Sequence, residues 1–197
     1  MPAALLLAAL LACARDDPRA VINADTANDT TGAAADCGMP AAGVQIERGI
    51  GVLQVGAPVE LLDERCRVVK DTVVTGIEGM AGRRLYIVIQ GDTVAAEIEQ
   101  DTVWRVRLTT DRFRTGDSLG VGTPAQDLTS RQGARALVGE GEIYLTIDEA
   151  CGVSFRLDGV SYSKVASAPS PESAVRLVPG TARVDLVLLT PCTTGEG

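Results

Sequence analysis

Alternation of apolar and polar residues is the strongest signal along this chain, and it comes in two blocks. In the first, residues 83–90, 93–99 and 103–109 alternate with the two-residue period of half-buried strands, separated by short turns, which predicts an antiparallel meander. A three-residue turn at 100–102 would set Ile98 opposite Trp104, Ala96 opposite Val106 and Val94 opposite Leu108 on one face, with Glu97 opposite Arg105 on the other. Slipping by one residue would bury charge, so the register is specified. In the second block, 142–147, 153–158 and 182–190 behave alike, with Val153, Phe155 and Leu157 and then Val184, Leu186 and Leu188 in alternation.

A short helix is predicted ahead of each block. Val55-Gly56-Ala57-Pro58-Val59-Glu60-Leu61-Leu62 is matched, 66 residues later, by Val121-Gly122-Thr123-Pro124-Ala125-Gln126-Asp127-Leu128. In both, glycine ends an extended segment, the next residue takes the N-cap, and proline sits at the first helical position, where its missing N–H costs nothing. The first helix runs to about Arg65, with Val59, Leu62 and Cys66 at helical spacing, and the second stops at Gly133. Thr181-Ala182-Arg183-Val184 echoes Thr102-Val103-Trp104-Arg105. The expectation is therefore an α+β fold of two tandem α-β-β-β repeats, 44–117 and 118–192, sharing one antiparallel sheet backed by short helices.

An extended segment, Gly-x-Pro, a downstream Leu, a short helix and antiparallel strands together resemble the small outer-membrane assembly lipoproteins. The tandem form resembles the secreted β-lactamase inhibitory proteins, which double that unit. The resemblance implies a non-catalytic protein that binds another protein through its sheet or loops, and it carries no functional residue over by motif.

The first forty residues read differently. Residues 3–12 are an uncharged apolar run, shorter than the ~20 residues needed to span a bilayer but suited to a signal peptide. It ends in Leu10-Leu11-Ala12-Cys13, which resembles a bacterial lipobox, although no Lys or Arg precedes the run. Residues 1–12 are then the signal and Cys13 the lipidated mature N-terminus. Residues 13–43, rich in Ala, Asp, Thr, Asn and Gly, read as a flexible tether, and 193–197 as a tail. Asp25, Asn28 and Asp29 lack the spacing of a calcium loop.

Composition narrows the chemistry. A net charge of −8 argues against a general nucleic-acid-binding face, and the absence of histidine excludes Ser-His-Asp and Cys-His systems and His-ligated zinc. Five cysteines less the lipidated one leave Cys37, Cys66, Cys151 and Cys192, an even number for an oxidising compartment. Three connectivities are open. Cys37 with Cys66 and Cys151 with Cys192 is favoured, because each pair closes within one half of the folded region.

Few motifs compete for chemistry. Gly120-Val121-Gly122-Thr123-Pro124-Ala125 fits G-x-G-x-x-A with Glu142 downstream, yet no parallel βαβ unit surrounds it, so it reads as a turn into a helix. Ser161-Tyr162-Ser163-Lys164 fits S-x-x-K, but in a loop, without the SDN or KTG companions of serine–lysine enzymes. Arg105, Arg107, Arg112 and Arg114 form a cationic stripe with Glu97, Glu99 and Asp111 at hand to neutralise it. Acid pairs at Asp148-Glu149 and Glu140-Glu142 read as exposed turn residues. Residues 159–181 interrupt a strand pair with Ser, Ala and Pro, and Tyr162, Lys164 and Leu177 there are candidate partner-binding residues.

The functional expectation is an exported, lipid-anchored protein of the cell envelope, without cofactor or catalysis, held to a membrane and binding a protein or envelope component. The alternatives are a secreted inhibitor of an extracytoplasmic enzyme and a small hydrolase using Ser161 and Lys164.

Overall fold

In the computed structural model the described residues are 37–38, 46, 49–75, 81–139 and 141–192. A two-residue pair, β1 (Gly49–Ile50) and β2 (Leu53–Gln54), leads into α1 (Val59–Arg65). Four strands follow: β3 (Arg67–Thr75), β4 (Ala81–Ile89), β5 (Asp92–Glu99) and β6 (Thr102–Leu108). Then come α2 (Ala125–Thr129), β7 (Arg135–Gly139), β8 (Glu142–Thr146) and β9 (Val153–Asp158), two short helices α3 (Tyr162–Ala166) and α4 (Pro171–Ala174), a 3-10 turn (Val175–Leu177), and β10 (Arg183–Leu189).

Eight of these strands form one sheet in the order β3-β4-β5-β6-β10-β9-β8-β7, with every neighbouring pair antiparallel. Two four-stranded meanders thus meet through their last strands, where Val106, Arg107 and Leu108 face Leu189, Leu188 and Val187. One face is apolar. Leu85, Ile87, Val94, Ala96, Val106, Leu108, Val187, Leu189, Phe155 and Leu145 are fully buried there, and Val59 and Leu62 of α1, Leu128 of α2, Val165 of α3 and Ala174 of α4 join the same core. Short helices suffice because each contributes only one or two anchors; the hydrophobic face of the sheet supplies the rest.

Sequence pattern missed β3 and β7, the two edge strands. No residue of β3 is buried, and β7 buries only Ala136, so neither shows the apolar alternation that marks a strand. Each block therefore has four strands, not three.

The two helix starts are built alike. Gly56 and Gly122 have φ of 87° and 86°, a region open to glycine. Gly56 N–H donates to the Val103 carbonyl at 2.6 Å, Val103 N–H to the Ala57 carbonyl at 2.8 Å, and Val59 N–H to the Asp101 carbonyl at 3.0 Å. Gly122 N–H donates to the Val184 carbonyl at 2.7 Å, Val184 N–H to the Thr123 carbonyl at 3.0 Å, and Ala125 N–H to the Ala182 carbonyl at 2.8 Å. Val184 thus corresponds to Val103, two residues away from the equivalence suggested by the Thr-x-x-x echo. Pro58 and Pro124 are extended N-cap residues (ψ 145° and 141°), one position earlier than expected. As caps they bring no side-chain acceptor, and the last strand of each half lies against them instead. The second helix ends at Thr129, capped by Ser130, well before Gly133.

Disulfides link Cys37 with Cys66 (Cα–Cα 4.4 Å) and Cys151 with Cys192 (5.2 Å), the favoured pairing. By closing loops of 29 and 41 residues they restrict the unfolded chain, at about 3 to 4 kcal/mol each in the chain-entropy description. Such bonds fit a compartment outside the cytoplasm. Among the described residues, no helix is long and apolar enough to cross a membrane.

Candidate functional site

The described helices pack on the apolar face of the sheet, so the other face carries what the pleat sends there. Three β-bulges enrich it. Each leaves an extra residue between register pairs: Val69 in β3, Trp104 in β6 and Asp185 in β10. Trp104 displaces the predicted register, so that Ile98 faces Val103 while Ala96 still faces Val106 and Glu97 still faces Arg105. Gln100 and Asp101, both at positive φ (49° and 58°), make the turn tighter than a three-residue one. Trp104 consequently leaves the core and stacks with Arg105, whose guanidinium carbon lies 4.3 Å from the ring centroid. The Asp185 bulge has a parallel effect on β10. Val184, Val187 and Leu189 enter the main core, whereas Leu186 and Leu188 form a separate buried cluster with Tyr144 on the opposite face. The predicted alternation of Val184, Leu186 and Leu188 on one face is corrected accordingly.

At the centre of this face lies Glu97, 5% exposed, the only acidic residue buried among the described ones. Its neighbours on β4 and β6 are fixed by register: Arg84 and Arg105 both stand opposite it. Arg84 Nη2 donates to Oε1 at 2.7 Å and Arg105 Nε to Oε2 at 2.6 Å, while Arg107 Nη1 approaches Oε1 at 3.5 Å. One carboxylate thus serves three guanidinium groups. Burial works against the charge of Arg84, but hydrogen bonds to Tyr86 and Glu97 outweigh it and raise its affinity for the proton. For Arg107 the balance falls the other way. Burial, followed by repulsion from Arg84 and Arg105, outweighs the attraction of Glu97 and lowers its pKa from the ordinary arginine value.

The second half carries an ion pair at its own bulge with the signs exchanged. Arg156 donates to both carboxylate oxygens of Asp185, at 2.9 and 2.6 Å, and reaches Glu142 at 3.7 Å. The fork-to-fork bonds to Asp185 hold the Arg156 charge and raise its pKa despite partial burial. Lys70 on β3 sits 5.4 Å over the Tyr86 ring, which extends the cationic and aromatic layer toward the sheet edge.

The predicted arginine stripe is therefore divided. Arg105 and Arg107 share the Glu97 centre; Arg112 pairs with Asp92; Arg114 turns into the 111–123 loop, where it donates to the carbonyls of Asp111, Ser118 and Val121 at 3.1, 3.0 and 3.0 Å. Arg84 and Arg156 come from distant strands, and only cross-strand register could have found them.

Ser161 and Lys164 do not lie in an irregular loop. Ser161 is the N-cap of α3 and Lys164 sits in its last turn; both are exposed, and Ser161 Oγ lies 3.4 Å from Ser163 Oγ. Of the other insertion residues, Tyr162 is 43% exposed, whereas Leu177 is half-buried against the core. Residues 159–181 fold over β7 and β8 through α3, α4 and the 3-10 turn, with α4 closed by a reciprocal Ser170–Ser173 capping box. Gly122 belongs to the turn into a five-residue helix. Asp148 pairs with Arg135 and Glu149 with Arg131, each at 3.3 Å. Among the described residues, no group of three or more His, Cys, Asp or Glu is placed to hold a metal. Cys13, Asp25, Asn28, Asp29 and Glu140, together with the signal, most of the tether and the tail, lie outside the described residues.

No family model matches this chain, and no curated protein does. Among solved structures it is similar to the uncharacterized protein YfeY from Escherichia coli, at 14% identity and a TM-score of 0.56, over 75% of this chain and 100% of that one. At that identity the likeness concerns the fold alone.

Proposed function

We propose that this protein is an exported lipoprotein, anchored through Cys13, whose disulfide-stapled sheet binds a protein or envelope component without catalysis of its own. The observation that carries this reading is the composition of the sheet face opposite the described helices. It gathers Tyr86, Trp104 and Tyr144 with Arg84, Arg105, Arg107 and Arg156, the residue types enriched at the energetic centres of protein interfaces. The two disulfides support export, because such bonds persist outside the reducing cytoplasm. The matched helix starts at Gly56 and Gly122 support descent of both halves from one duplicated element, which is the tandem architecture the resemblance implies.

The test has two arms. Metabolic labelling with a fatty acid in a lipoprotein-processing host should mark the parent and not Cys13→Ala; an unlabelled parent refutes the anchor. Photo-crosslinking from position 86 in intact envelopes should trap one species in stoichiometric amount, and Trp104→Ala should abolish it while leaving the melting temperature nearly unchanged. Capture unaffected by Trp104→Ala refutes the face. The secreted-inhibitor reading uses the same face and is distinguished by whether the trapped species is an enzyme that loses activity in the complex.

A further inference from the structure

The two edges of the sheet are guarded differently. β7 has α4 packed against it, and its Arg135 reaches Glu172 of that helix at 3.5 Å. β3 is nine residues long, pairs only with β4 among the described strands, and buries none of its residues. An edge strand offers its outward N–H and C=O groups to any other extended chain, and natural edges are blunted by bulges, charges or proline. The first part of β3 carries such devices: Arg67, the bulge at Val69, Lys70, and Asp71 tied to Arg83 at 2.8 Å. The second part, Thr72-Val73-Val74-Thr75, carries none of them. All four residues are uncharged and β-branched, the kind that strands favour, and Val73, 71% exposed, is the most exposed large hydrophobic residue among those described.

We infer that the unguarded end of β3 pairs antiparallel with the same segment of a second copy of this chain, about a two-fold axis at Val73. Self-complementarity selects the occupant. A two-fold axis normal to the sheet sets opposite one another residues that point to the same face. Pairing with β4 puts Asp71, Val73 and Thr75 on one face and Lys70, Thr72 and Val74 on the other. With Val73 opposite Val73 of the second copy, Thr72 meets Val74 and Asp71 meets Thr75, so β-branched residues face each other and no charge faces a charge. Sliding the copies toward the guarded end sets Asp71 and Lys70 against Val73 and Val74, then Asp71 against Asp71, then Lys70 against Lys70. Sliding the other way shortens the ladder. So short a ladder is small beside the interfaces of stable dimers, so the pairing is weak in dilute solution and forms where chains are crowded. It uses the sheet edge and is independent of the Trp104 face.

Cysteine crosslinking of the purified full chain, at rising protein concentration under a mild oxidant, tests this on a non-reducing gel. Residues opposite one another in an antiparallel pair have Cα atoms about 4.5 to 5.5 Å apart, within the range a disulfide spans. Val69 is also exposed, at 49%, but the proposed register sets the two copies of it roughly 25 Å apart at about 3.3 Å per residue. Val73→Cys should therefore give on the order of tenfold more covalent dimer than Val69→Cys, the advantage of a pre-positioned pair over random collision. Adding Val74→Lys to the Val73→Cys chain should remove most of the product, because an edge lysine repels a second strand, and should leave the melting temperature nearly unchanged. Should that variant not fold, Thr72→Lys must produce the same loss. Trp104→Ala should leave the yield unchanged. No dimer at Val73→Cys, equal yields from Val73→Cys and Val69→Cys, or a yield that survives both lysine variants overturns the inference. So does a yield that falls with Trp104→Ala, which would move the contact to the other surface. Failure here leaves the envelope crosslink from position 86 untouched, so the two readings fall separately.

Discussion

Glu97 and Arg114 do opposite kinds of work with the same bond chemistry. Glu97 binds charges that the register forces together, so Glu97→Gln, which removes a carboxylate shared by three partly buried guanidinium groups, should cost about 2 to 4 kcal/mol. Urea unfolding measures it, and a loss below 1 kcal/mol would mean that water compensates the arginines. Arg114 instead organises backbone. Its guanidinium gathers three carbonyls of the 111–123 loop, and a lysine cannot span them with one point charge, so Arg114→Lys should cost about 1 to 3 kcal/mol. At the rim, the Asp71 carboxyl is held below its ordinary 3.8 by hydrogen bonds from Arg83. Its folded pKa is depressed, so the stabilisation is present above pH 3.8 and disappears as pH falls through the folded value. The melting-temperature difference between the parent and Asp71→Asn should accordingly be small but positive at neutral pH, and vanish in acid; being exposed, it should also shrink with salt.

At the scale of elements, the two helix starts offer a matched comparison. A Cβ added at Gly56 or Gly122 meets nothing within 4 Å, so Gly→Ala there costs backbone strain alone. Both variants should lose a similar amount, about 1 to 2 kcal/mol. Unequal losses, differing by more than a kcal/mol, would show that the surroundings of the two turns differ more than their hydrogen bonds do. The edge strands make a second contrast. β3 pairs only with β4 and buries nothing, with Val73 71% exposed, so its amides should exchange sooner than those of β5, β6, β9 and β10.

For the whole molecule the decisive seam is β6 against β10. Only three register pairs bridge it, yet the side chains that both meanders bury on the apolar face belong to one contiguous core. The described domain should therefore unfold as a single cooperative unit. Trp104, the only tryptophan, reports on the first half, whereas far-UV circular dichroism reports on the strands of both halves. The two denaturation curves should coincide, and Leu189→Ala, at the seam, should shift both together by about 2 to 5 kcal/mol. Separate midpoints would mean that the halves are independent.

Where one face of a strand is buried, residue order alone was enough to locate the strand. The alternation at 83–90, 93–99, 142–147 and 153–158 and the Gly-x-Pro helix starts located most of the sheet and two helices, and the cysteine pairing followed from which half each cysteine falls in. Water sorts apolar from polar side chains locally, and that sorting is written in the sequence. Tertiary structure decided the rest. Edge strands carry little sorting signal, because β3 buries no residue and β7 only Ala136. A bulge inserts one residue and turns every later side chain over, which is why Trp104 left the core and Leu186 changed faces. The Glu97 centre exists only because three strands lie side by side, and proximity across a sheet is a property of pairing that no single strand encodes.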